Sequence, residues 1–126
     1  MGEAAMAGAT IRAIGLPVFG GYDALVMETR PRPEPAGRQI LVRVRAAGVN
    51  RPDVIQRQGW YAPPPGAPDI PGLEIAGEVA ALGPEASRYA LGDKVTALVP
   101  GGGYAEYAVV DETNALPVPR GFSMVE

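Results

Sequence analysis

The chain has 126 residues, 47% of them hydrophobic and 20% charged, which is enough to bury one core and too short for two ordinary domains. The formal charge of −3 divides into +3 over residues 1–63 and −6 over residues 64–126, with none of the clustered cationic excess that nucleic acid or a membrane surface requires. Cys and His are both absent, which excludes disulfides, thiol nucleophiles, Ser-His-Asp triads and zinc sites built on thiolate or imidazole.

Residues 1–9 are small and featureless and read as a loose terminus. The start has neither a charged leader nor an apolar run, and no stretch reaches the roughly 18 apolar residues of a membrane span, so a cytoplasmic protein is expected. Two short strands follow, Thr10–Ile14 and Ala24–Thr29, separated by the breaker cluster Pro17-Val18-Phe19-Gly20-Gly21, which predicts a hairpin. Pro31, Pro33 and Pro35 then form an extended, donor-poor linker. It leads into the strongest strand, Gln39–Ala47, where Ile40, Val42, Val44 and Ala46 alternate with Leu41, Arg43 and Arg45.

One segment reads as helix. Arg51–Gln58 follows Asn50, a good N-cap residue, with Pro52 in the first turn, Asp53 three residues after the cap and Gly59 at the end. Strands are predicted again over Leu73–Leu82, Lys94–Val99 and Tyr104–Val110, with a short edge strand over Ala115–Val118 limited by Pro117 and Pro119. Gly101-Gly102-Gly103 is followed by a strand and not by a helix, so it reads as a hairpin turn and not as a phosphate cradle. Short strands with a single helix point to a mostly antiparallel barrel or sandwich, without the strand–helix rhythm of a dinucleotide fold.

The richest stretch, Ala47 to Gly77, passes from a strand end through a capped helical turn to Trp60-Tyr61 and the stiff loop Pro63-Pro64-Pro65-Gly66. Polar groups at strand ends and aromatic rings on rigid loops build small-molecule pockets. The blocks Gly48-Val49-Asn50 with Asp53, Gln58-Gly59 with Tyr61, Pro63-Pro64-Pro65-Gly66-Ala67, Gly72-Leu73-Glu74 with Gly77, Leu82-Gly83-Pro84, Gly92-Asp93, and Gly101-Gly102-Gly103 with Tyr107 stand in one order along the chain. As a set they resemble the medium-chain dehydrogenase/reductase superfamily, in its zinc-free quinone oxidoreductase branch of the p53-inducible type. The resemblance implies that residues 10–126 form a GroES-like, partly closed β-barrel with short helices.

It also implies chemistry. Zinc-dependent relatives carry a Cys near the position of Asn50 and a Gly-His-Glu motif where this chain has Gly72-Leu73-Glu74, so both ligand positions are replaced and no metal is expected. The implied reaction is hydride transfer from NADPH to a quinone, an acceptor that needs little Lewis acid. Tyr61 is the implied active-site tyrosine, stacking on the acceptor and donating toward a developing phenolate, against the alternative of a half-buried core aromatic. Trp60 beside it is a second substrate-binding candidate. Asn50 is assigned to the nicotinamide end of the cofactor cleft or to helix capping, and Asp53 to orienting polar groups of that cleft or to a capping box.

Glu74, if buried in its apolar strand, calls for an arginine partner or acts as a general acid. Arg43 and Arg45 read as a solvated face, with a phosphate clamp as the alternative. The implied family enzymes carry a Rossmann domain after this one. The chain is therefore expected to be the substrate-side part of a dimeric enzyme, inactive alone, with the main NADPH site elsewhere. An enoyl or alkenal reductase on the same scaffold, and a stand-alone GroES-like binding module, are the other readings.

Overall fold

A computed structural model describes residues 9–126. The expected loose terminus lies outside the described residues except for Ala9, whose carbonyl accepts from the Arg32 N–H at 3.0 Å. Seven strands and one α-helix follow: β1 (Thr10–Gly15), β2 (Val26–Pro31), β3 (Gln39–Ala47), α1 (Arg51–Gln58), β4 (Glu74–Leu82), β5 (Lys94–Leu98), β6 (Tyr107–Asp111) and β7 (Ala115–Pro117). Single 3-10 turns occupy Tyr22–Ala24 and Glu112–Asn114. The first of these moves the second strand two residues later than its propensity predicts, because Tyr22–Ala24 completes the turn begun at the glycine pair.

β1 and β2 form the expected antiparallel hairpin, and the other strands form a sheet in the order β6-β3-β4-β5-β7. All the ladders are antiparallel. The two sheets meet along one seam. The Ile14 N–H donates to the Tyr104 carbonyl (2.8 Å), the Glu106 N–H to Arg12 (3.1 Å), and the Val44 N–H to Glu106 (2.8 Å), so residues 104–106 lie between β1 and β3. No ladder joins β7 to β2 among the described residues. The fold is therefore mostly β, as expected, with its barrel open on that side.

The core is the inner face of the larger sheet. Ile40, Val42, Ile75, Val79, Val95 and Val110 are at most 2% exposed, and Tyr89 closes one end by donating its hydroxyl to the Ala115 carbonyl at 2.7 Å. β-Branched residues suit these positions because they pack on a pleated surface, and each such side chain contributes about 1.5–3 kcal/mol when buried. Leu41 departs from the predicted alternation, for it is buried beside Ile40 and Val42 where β3 slips register between Leu41 and Val42. In β4, Gly77 packs its Cα against the Arg43 carbonyl so closely that no side chain fits there.

One predicted turn is corrected. β5 and β6 are not partners, since β3 and β4 lie between them, and Gly101-Gly102-Gly103 is therefore no hairpin. It is a crossover loop that lies on the backbone of residues 68–72. The Gly102 N–H donates to Ile70 (2.7 Å), Gly103 to Gly72 (3.0 Å) and Tyr104 to Pro71 (2.9 Å). Glycine is needed because two main chains touch: a Cβ on Gly101 would sit 2.8 Å from the Pro68 carbonyl oxygen, and one on Gly103 2.9 Å from Gly72.

Candidate functional site

The end of β3 and the start of β4 lie side by side, with Ala47 opposite Ile75 and the Gly48 N–H donating to the Glu74 carbonyl at 3.0 Å. This adjacency brings Asn50 and Leu73, the two positions that the resemblance compares with zinc ligands, to one corner of the sheet. The Asn50 Nδ2 donates to Glu74 Oε2 at 3.3 Å. A Cβ on Gly48 would meet the Glu74 carboxylate at 2.9 Å, so the glycine leaves room for that contact. Glu74 is exposed, and the condition that called for a buried arginine partner is not met. Together with Gly48 it lines a hollow of about 140 Å³ that Thr96 and Met124 also border.

Asn50 stands at the N-cap with extended backbone (φ −125°, ψ 160°), and its carbonyl accepts from the Asp53 N–H at 3.0 Å. The Asp53 carboxylate reaches back to the Asn50 N–H at 2.9 Å, as the capping reading requires. It does more than cap. Asp53 is 5% exposed, and it also accepts from the Gly72 N–H (3.1 Å) and from the Tyr104 hydroxyl (3.0 Å). One carboxylate thus ties the start of α1 to the entry of β4 and to the loop before β6. Burial first, and then the hydrogen bond to Asp53, hold the Tyr104 phenol above its ordinary pKa of 10.0, so it stays a donor.

Tyr61 lies at the other end of α1. The helix has eight residues and spans about 12 Å, so Asn50 and Tyr61 occupy opposite ends of one element and not one contact cluster. Gly59 ends the helix in the left-handed region (φ 90°). Half-buried Tyr61 then lines a cleft of about 280 Å³ with Leu16, Phe19, Gln56, Pro63 and Asp69. Trp60 is 82% exposed and outside that lining, as adjacent residues on extended backbone face opposite ways. Arg43 and Arg45 are exposed on β3, and Arg45 pairs with Glu78 on β4.

Sequence reasoning missed Tyr104 and Gly72 as partners of Asp53, and Phe19 and Asp69 as neighbours of Tyr61. Only Phe19 carried a signal, as a large aromatic in a breaker cluster. Among the described residues no group of three or more His, Cys, Asp or Glu side chains is placed to hold a metal ion. No helix among them is long and apolar enough to cross a membrane.

Comparison with known proteins agrees with this fold. The chain is 38% identical over 111 residues to the quinone oxidoreductase of Lama guanicoe, and 36% identical over 118 residues to the synaptic vesicle membrane protein VAT-1 homolog of Danio rerio. These alignments cover 86% and 93% of this chain but only 34% and 24% of the relatives, so the chain spans about a quarter to a third of their length. The crystal structure of the human synaptic vesicle membrane protein VAT-1 homolog-like protein superposes with a TM-score of 0.85 at 34% identity, covering 92% of this chain and 38% of that one. These relatives are medium-chain dehydrogenase/reductase proteins, and the match lies in their N-terminal part. The family profile described as "Alcohol dehydrogenase GroES-like domain" matches residues 36–120. With more than half of its length inside that profile, the chain belongs to the alcohol dehydrogenase GroES-like domain family.

Proposed function

We propose that this chain is the substrate-side domain of an NADPH-dependent quinone oxidoreductase that works without zinc. The observation that carries the reading is the corner where β3 ends and β4 begins. It holds Asn50 and Leu73 in place of a thiolate and an imidazole, in a chain that is 38% identical to a quinone oxidoreductase and contains neither Cys nor His. A carboxamide and an aliphatic side chain are poor ligands for zinc, whereas a quinone needs little Lewis acid because its reduction spreads charge over two oxygens.

The residues present fit one end of the cofactor. Asn50 offers a carboxamide at a partly open strand end, suited to hydrogen-bonding the carboxamide edge of a nicotinamide. The glycine loop offers the phosphates no cradle, because the amides of Gly102, Gly103 and Tyr104 already donate to backbone carbonyls and a strand, not a helix, follows it. NADPH, when bound, supplies the hydride, and its main site is proposed to lie in a Rossmann domain outside this chain. Tyr61 is proposed to stack on the acceptor and donate its hydroxyl toward the oxygen that gains charge. Asp53 is a positioning residue in this reading, since all the contacts described for it are to groups of the chain itself.

Two measurements test the proposal. The longer protein that carries this domain, assayed by NADPH consumption, is expected to reduce naphthoquinones faster than α,β-unsaturated carbonyls. Faster turnover of the enones would make it an alkenal reductase, and no turnover of either would favour a binding module. NADPH fluorescence titration of the present chain alone is expected to give no sub-micromolar binding. Tight binding would overturn the assignment of the dinucleotide site to another domain.

A further inference from the structure

Phe19 is 66% exposed, yet the loop that carries it is well anchored. Its ring lies over Gly59, where an added Cβ would come within 2.8 Å of the ring carbon Cδ2. The next residue, Gly20, donates its N–H to the Arg57 carbonyl in the last turn of α1 at 2.8 Å. The β1–β2 loop is thereby held against the helix end, and one face of the ring is left open. That ring and Tyr61 enter the same cleft from different elements, with Leu16 and Pro63 as further apolar lining. Few polar groups share it. The Gln56 amide donates to the Asp69 carbonyl at 3.2 Å, and the Asp69 carboxylate, 77% exposed, is held by the Arg30 Nη1 at 3.0 Å. The Arg30 hydrogen bond keeps that carboxyl below its ordinary pKa, so it stays negatively charged.

An anchored aromatic wall beside a second ring, with the Glu28–Arg30–Asp69 cluster and its net charge of −1 at Asp69's side of the cleft, selects by shape and by charge. We propose that the cleft between Phe19 and Tyr61 is a slot for an uncharged planar aromatic acceptor, in which Phe19 is a specificity-determining wall and Asp69 turns away anionic analogues. This deepens the quinone reading and rests on it for the identity of the acceptor. Tyr61 and Pro63 belong to the motif blocks, whereas Leu16, Phe19 and Asp69 are lining residues that neither motif order nor periodicity singled out.

The single Trp60, next to Tyr61 but outside the slot, provides a reporter. The chain is titrated at low ionic strength with menadione and with its sulfonated, anionic analogue. Menadione is expected to quench Trp60 saturably. Phe19→Ala is expected to weaken its binding about two- to tenfold, the range of one aromatic contact, with an unchanged melting temperature because the ring is exposed. The sulfonate is expected to bind more weakly than menadione, and Asp69→Asn to narrow the difference.

Linear, non-saturating quenching, an unchanged affinity in Phe19→Ala, or equal binding of the sulfonate would each overturn the slot. The two readings fail separately. Quinone reduction by the longer protein with a Michaelis constant indifferent to Phe19→Ala removes the slot and leaves the function. Phe19-dependent binding of menadione without reduction removes the function and leaves the slot.

Discussion

At Asp53 three donors from three segments converge on one buried carboxylate, and the energetics of the site's framework follow from that. Hydrogen bonds to a charged group are worth about 1.5–3 kcal/mol, and each buried donor left without a partner carries its own penalty. Asp53→Ala, which strands the Asn50 and Gly72 amides and leaves the Tyr104 hydroxyl only its longer contact with the Gly48 carbonyl (3.4 Å), is expected to destabilise the chain by about 3 kcal/mol or more in urea unfolding. Tyr104→Phe removes one of the three donors and is expected to cost about 1–2 kcal/mol. Because the two side chains touch, the double variant should cost clearly less than the sum. Strict additivity would show that the contact carries no coupling. The first of these bonds was legible, since an acid three residues after an N-cap predicts it. The others connect residues 19 and 51 positions apart, and no local pattern encodes such a pairing.

Among the elements, β3, α1 and β4 keep within one residue of their predicted bounds, because breakers flank each of them. The connections follow no such rule. Gly101–Gly103 has the composition of a hairpin turn, but its strands are separated by two others, and the loop instead lies against the residues just before β4. Gly72 is the counterpart of that contact, with φ +106° and an added Cβ only 2.5 Å from the Tyr104 nitrogen. Gly66 has φ +84° and open space around it. Gly66→Ala is expected to cost about 1–2 kcal/mol from left-handed backbone alone. Gly72→Ala adds a main-chain collision that no side-chain movement relieves, and it should lower the melting temperature several times as far. Equal shifts for the two variants would contradict the close packing of the two loops.

Over the whole molecule, acid stability rests on carboxylates held by neighbouring donors. Glu112 is 2% exposed, and its pKa is depressed chiefly by the Arg88 N–H, with the Ser87 N–H and Arg38 adding to the effect. It joins the turn before β3, the loop at residues 87–88 and the link from β6 to β7. Asp69 and Glu78 are also lowered, chiefly by arginine side chains, Glu106 by the Arg12 N–H and then its guanidinium, and Asp111 by the Thr113 hydroxyl and N–H. A folded pKa below the unfolded one adds stability that is complete above the unfolded value and is lost as pH falls through the folded value. The melting temperature is therefore expected to fall as pH drops below about 4.5, the ordinary glutamate value. With no imidazole present, it should be nearly level between about pH 5 and 8. Glu112→Gln should make the acid limb shallower, and an unchanged limb would assign the acid sensitivity to the other carboxylates.

The sequence by itself determined the strand-rich class, the helix with its cap, the family and the absence of Cys and His, because these depend on residue type and on spacing within one element. Only the tertiary structure decided that Asn50 and Leu73 share a corner, that Asp53 serves three segments and that Phe19 stands beside Tyr61. Those juxtapositions depend on strand order and on which main chains touch, and every residue between the partners contributes to setting them.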